Sequence, residues 1–99
     1  MNEKNILEVN DGNEIVLRNT YLNLRIPMAE IITAMRILKR KTGAGSLTTA
    51  IELMFFTALP EEEMESVSLL ITLIRCIKDG SAAPPLDIDK LYATIALPP

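Results

Sequence analysis

The chain has 99 residues, a net charge of −3 and a pI of about 4.9, with 48% hydrophobic residues, one cysteine and no histidine. That is one domain's worth of chain, without an internal disulfide, without histidine acid–base chemistry and without a cluster resembling a metal site. The charge is unevenly placed: Arg18, Arg25, Arg36, Lys39, Arg40 and Lys41 stand against the single acid Glu30, a local +5 over residues 18–41 in an otherwise acidic chain.

Aliphatic residues are dense and aromatics few, so part of the apolar set is expected to face a second copy of the chain, as a homodimer. Cys76 lies inside an apolar run and reads as a buried, inert thiol. The run 64–77 is about 14 residues, roughly 21 Å as a helix, too short for a bilayer, and Arg75 interrupts it. No signal peptide opens the chain, so the expected compartment is the cytoplasm, with no membrane partner.

In chain order, residues 1–19 read as a β-hairpin. Ile6, Leu7 and Val9 precede Asp11-Gly12, and Ile15, Val16 and Leu17 follow; Asp-Gly supplies the positive backbone angles of a tight turn. Residues 20–58 read as a strand-helix-helix unit. The strand is 21–26, with Leu22, Leu24 and Ile26 alternating against Tyr21, Asn23 and Arg25. Pro27 suits the first turn of a helix whose apolar stripe is Met28, Ile31, Ile32, Met35 and Leu38. Lys39, Arg40 and Lys41 sit near its C-terminus, and Gly43 or Gly45 can take the left-handed cap.

Ser46 is a good N-cap for a second helix with Leu47, Ala50, Ile51, Met54 and Ala58 as its stripe and Phe55 and Phe56 beside it. Pro60 stops that helix and starts another over 60–80, with Glu61, Glu62 and Glu63 in its first turn and Gly80 as a cap. Its middle, "MESVSLLITLIRCI", is apolar on nearly all sides, which predicts a central helix or one covered by a partner chain. Residues 81–86 read as a linker, and 87–97 as a short final helix capped by Asp87, with Ile88, Leu91, Tyr92 and Ile95 on one face. The predicted fold is α+β: a single domain with an N-terminal hairpin and short strand followed by three to four helices.

Catalysis is not expected, and neither a cofactor nor a small-molecule substrate is implied. "EEEME" at 61–65 is explained by the helix dipole without a bound cation. "TGAGS" at 42–46 lacks the phosphate-loop spacing and follows a helix rather than a strand.

The run Asn23-Leu24-Arg25-Ile26-Pro27, then an amphipathic helix, a glycine turn and a Ser/Thr-started second helix, resembles the ribbon-helix-helix repressors of the Arc and methionine-repressor type. In that family a strand from each of two subunits pairs antiparallel and enters the DNA major groove. The resemblance implies a homodimeric regulator reading duplex DNA with strand 21–26. Tyr21, Asn23 and Arg25 would face the bases, where Arg suits guanine and Asn suits adenine. It also implies phosphate contacts at the N-terminus of the second helix, through Ser46, Leu47 and Thr48, with added attraction from Arg36, Lys39 and Arg40. A hairpin stands ahead of this strand, and a strand already paired with residues 14–19 does not form the intersubunit ribbon alone.

A second resemblance covers about residues 9–78. "NDGNEIVLR" followed by helices and "FFTALPEEEMESVSLLI" is similar to small tailed-phage assembly chaperones, through Leu17-Arg18 after a glycine-turn hairpin and Leu59-Pro60-Glu61 before an apolar helix. It implies a protein-binding module without DNA activity, gripping a tail protein through helix 60–78. A small phage or plasmid inhibitor that blocks another protein's surface belongs to the same class.

Overall fold

A computed structural model describes residues 6–21, 23–78 and 87–96. The chain forms one small α+β domain: three strands, β1 (Ile6–Val9), β2 (Glu14–Arg18) and β3 (Asn23–Pro27), precede four helices, α1 (Met28–Thr42), α2 (Leu47–Met54), α3 (Glu61–Lys78) and α4 (Ile88–Thr94). The expected Gly80 cap, the linker 81–86 and the inward Leu22 lie outside the described residues.

The hairpin is present, but its left-handed residue is not the expected glycine. Asn10–Asn13 closes a reverse turn through Asn13 N–H to the Asn10 carbonyl at 3.1 Å. Asn13 then takes φ 59°, while Gly12 does not have a positive φ. Asparagine tolerates this region better than other residues with a side chain, because its short amide bonds locally. The Asn10 side chain locks the turn, accepting from Glu14 N–H at 2.9 Å and donating to the Glu14 carboxylate at 3.0 Å.

The sheet order is β1-β2-β3, antiparallel throughout. The third strand begins at Asn23 rather than Tyr21 and ends on Pro27; Tyr21 lies in a bend before it. Its register sets Arg25 opposite Val16, Leu24 opposite Leu17 and Ile26 opposite Ile15. The period of two then puts Leu7, Leu17, Leu24, Ile15 and Ile26 on one face and Ile6, Glu8, Val16, Arg18, Asn23 and Arg25 on the other. The first face is the core. On the second, Arg18 pairs with Glu8 at 3.2 Å with both side chains about half exposed, a solvated pair contributing little.

Strand β3 runs straight into α1. Pro27 is the N-cap, at φ −57° and ψ 135°, and Met28 N–H continues the ladder to the Asn13 carbonyl at 3.0 Å. Helix α1 buries Met28, Ile31, Ala34, Met35, Ile37 and Leu38, a wider face than the stripe read from sequence, because it packs on the sheet, α2 and α3 at once. It is therefore α1, and not the apolar third helix, that is central. Gly43 ends it at φ 69°, with its N–H on the Lys39 carbonyl.

Helix α2 starts as expected, with the Ser46 hydroxyl accepting from Thr49 N–H at 3.3 Å. It stops at Met54, four residues before Ala58. Helix α3 buries only a stripe, Val67, Leu70 and Leu73, while Ser68, Thr72 and Arg75 stay exposed. Cys76 is half-buried on α3 rather than buried. The final helix is shorter than the predicted 87–97; Asp87 caps it, accepting from Lys90 N–H at 3.0 Å.

The last helix is held by polar contacts with the end of α1. Tyr92 is 0% exposed and donates its hydroxyl to the Ala44 carbonyl at 2.8 Å. Lys39 Nζ donates to the Ile95 carbonyl at 2.9 Å, to Tyr92 at 3.1 Å and to Ala93 at 3.4 Å, and lies 5.4 Å from the Tyr92 ring centroid. One ammonium thereby satisfies carbonyls that the end of a helix leaves unpaired and adds a cation–π contact.

Candidate functional site

Two surfaces carry side chains that could meet a partner: the outer face of the sheet and the surface around the start of α3.

On the sheet, Asn23 and Arg25 are exposed on the outer face of β3, and Tyr21 is 87% exposed just before it. One edge of β3 is taken by β2 within the same chain; among the described residues no strand lies on its other edge. Glu8 and Glu14 share the outer face with Arg18 and Arg25, so the face is mixed in charge rather than basic.

The residues expected to contact phosphate are scattered. Ser46 is exposed but already caps its own helix, accepting from Thr49 N–H and donating to the Thr49 hydroxyl at 2.9 Å. Leu47 is buried beneath α2, and Thr48 is exposed. Lys39 is committed to the end of α4. Arg40 and Lys41 both reach Glu63 on α3, at 3.4 and 3.8 Å, and the Glu63 side chain is only 20% exposed. Arg36 is exposed on α1 and takes part in none of these contacts. Nor are the two groups adjacent in the chain's path: the 15 residues of α1, a rise of about 22 Å, separate Pro27 from Gly43.

The second surface was not legible as a unit in the sequence. Where α2 stops, Phe55 is 78% exposed and Phe56 89%, with Leu53 beside them also exposed. The backbone explains this. Phe56 and Thr57 close turns onto the Leu53 and Met54 carbonyls, which carries the chain off the helix before the two rings reach the core. Pro60 signals that the helix ends by Leu59 but not that it stops at Met54.

Beyond this turn an open groove of about 850 Å³ runs along α3 beside the first half of α1. Leu59, Met64 and Leu69 contribute its apolar surface. Glu30, Glu61, Glu62 and Glu65 line it too, and no lysine or arginine does. Leu59 also packs against the hydrophobic core, so the groove's lining is continuous with the core.

No known protein family, curated protein or solved structure matches this chain. Among the described residues, no group of three or more His, Cys, Asp or Glu is placed to hold a metal ion, and no helix is long and apolar enough to cross a membrane.

Proposed function

We propose that this chain is a cytoplasmic protein-binding module of the assembly-chaperone kind, which engages another protein through the surface formed by the α2–α3 turn and the outer side of α3. The observation that carries the reading is the exposure of Phe55 and Phe56, adjacent aromatic rings at 78% and 89%. A single exposed hydrophobe is ordinary, but two consecutive exposed phenylalanines, three residues before the groove-lining Leu59, are of the aromatic type enriched at protein interfaces. The resemblance of "FFTALPEEEMESVSLLI" to the phage assembly chaperones falls on the same segment.

The test is site-specific photo-crosslinking in the native host, with Phe56→p-benzoylphenylalanine compared against the same replacement of Arg25. The expected result is a discrete protein adduct from position 56 and none from position 25. Equal adducts from both positions, or none from position 56, would refute the reading.

A second reading, the homodimeric ribbon-helix-helix regulator, draws on the exposed Asn23 and Arg25 and on the edge of β3 that no strand among the described residues takes, where a second copy would pair. It ranks below the first because β2 already holds β3 in the chain, and because Lys39, Arg40 and Lys41 are engaged internally. Counterion release on DNA needs cations that are free to leave their own protein partners.

A further inference from the structure

The groove has a sign as well as a shape. Of its lining side chains four are carboxylates, from both α1 and α3, and none is a cation. Among the described residues, the exposed cations outside ion pairs are Arg25 at the sheet, Arg36 on α1, Arg75 on α3 and Lys90 on α4, and none of them lines the groove. Leu59, Met64 and Leu69 lie between the carboxylates, and the exposed Phe55 and Phe56 belong to the turn that leads into the groove. A groove lined by aliphatic side chains together with acids that no lining cation neutralises matches one kind of occupant: an amphipathic helix with an aliphatic stripe flanked by lysine or arginine. Its apolar side chains replace water against Leu59, Met64 and Leu69, while its cations meet the exposed carboxylates.

Resting on the protein-binding reading, we infer that the partner segment is a basic amphipathic helix seated in the α1–α3 groove, with Phe56 as a hydrophobic anchor at one end. The acids of the first turn of α3 thus have a second role beyond the helix dipole: they select the charge of the partner. Glu63 is excepted, because Arg40 and Lys41 already occupy it.

The experiment uses the full chain and two synthetic helical peptides of about five turns, one with a Leu/Lys amphipathic pattern and one with Leu/Glu, followed by fluorescence anisotropy at low and high salt. The Leu/Lys peptide is expected to bind at least about tenfold more tightly than Leu/Glu, with the gap narrowing in salt. Glu61→Gln/Glu65→Gln, at two exposed positions, should reduce that preference severalfold, and Phe56→Ala should weaken both peptides alike. Equal binding of the two peptides, binding of neither, or a preference untouched by the double Gln variant overturns the inference. The crosslink from position 56 separates the two levels. If it forms while the charge preference is absent, the docking surface stands and the basic helix falls; if it is missing as well, both fall.

Discussion

Tyr92→Phe tests how the C-terminal helix is held. The ring stays buried in the variant, so the loss is confined to the hydroxyl and the carbonyl it served. In the native chain that hydroxyl donates to the Ala44 carbonyl at 2.8 Å from a residue with 0% exposure. Stranding a buried acceptor costs about 1–3 kcal/mol, a large share of the roughly 5–15 kcal/mol typical of a domain. In urea, where slopes for small proteins are about 1–3 kcal/mol/M, the midpoint should fall by on the order of 1 M with an unchanged slope. Burial also pushes the Tyr92 hydroxyl above its ordinary 10.0, against a smaller lowering from the Thr42 side chain. In the unfolded chain the phenol ionises near its usual value of about 10, before the folded one does. The stabilisation due to Tyr92 is therefore whole below that pH and is lost as pH rises above it. Native protein and Tyr92→Phe should differ at pH 7, and the difference should narrow as pH rises past the ordinary phenol range. Equal urea midpoints at pH 7, or a difference that stays constant from neutral to strongly alkaline pH, would refute the account of the clamp.

Leu70→Ala, at a 0% exposed position of α3, should cost about 2–5 kcal/mol, read as a lowered denaturant midpoint. Replacing Phe55 and Phe56 together with serine should behave oppositely: with so little of either ring buried, stability changes by about 1 kcal/mol or less in the same titration, while binding of the Leu/Lys peptide weakens. At the hairpin turn, Asn13→Gly should be close to neutral and Asn13→Val should destabilise by about 1–2 kcal/mol, because φ 59° crowds a branched side chain; paired thermal melts decide it. For the regulator reading, duplex DNA at low salt should be retarded by the native chain and released steeply as salt rises, with Arg25→Ala relaxing sequence preference; no retardation at low salt removes that reading.

Much of the local structure could be read from residue order, since its causes lie within a few positions. Ser46 and Asp87 cap helices because a side-chain oxygen reaches a backbone N–H three residues on. Gly43 ends α1 because the left-handed cap favours a residue without Cβ. Alternation before Pro27 and a 3.6-residue period after it mark the passage from β3 to α1. The misreadings were near elements' ends and at the turn, where Asn13 took the geometry assigned to glycine and α2 stopped short of Ala58.

What required the tertiary structure was every relation between distant segments. An L-x-L-x-I strand has the same pattern whether its neighbour is β2 or a second subunit, and only the assembled sheet shows β2 beside it. A stripe of aliphatic residues does not say which helix is central; α1 is, because three elements converge on it. Lys39 looked like a surface cation and closes the end of α4, more than fifty residues away. Phe55 and Phe56 read only as lying beside the apolar stripe of α2, and their standing in solvent depends on where the backbone turns after Met54 rather than on the hydrophobicity of the rings.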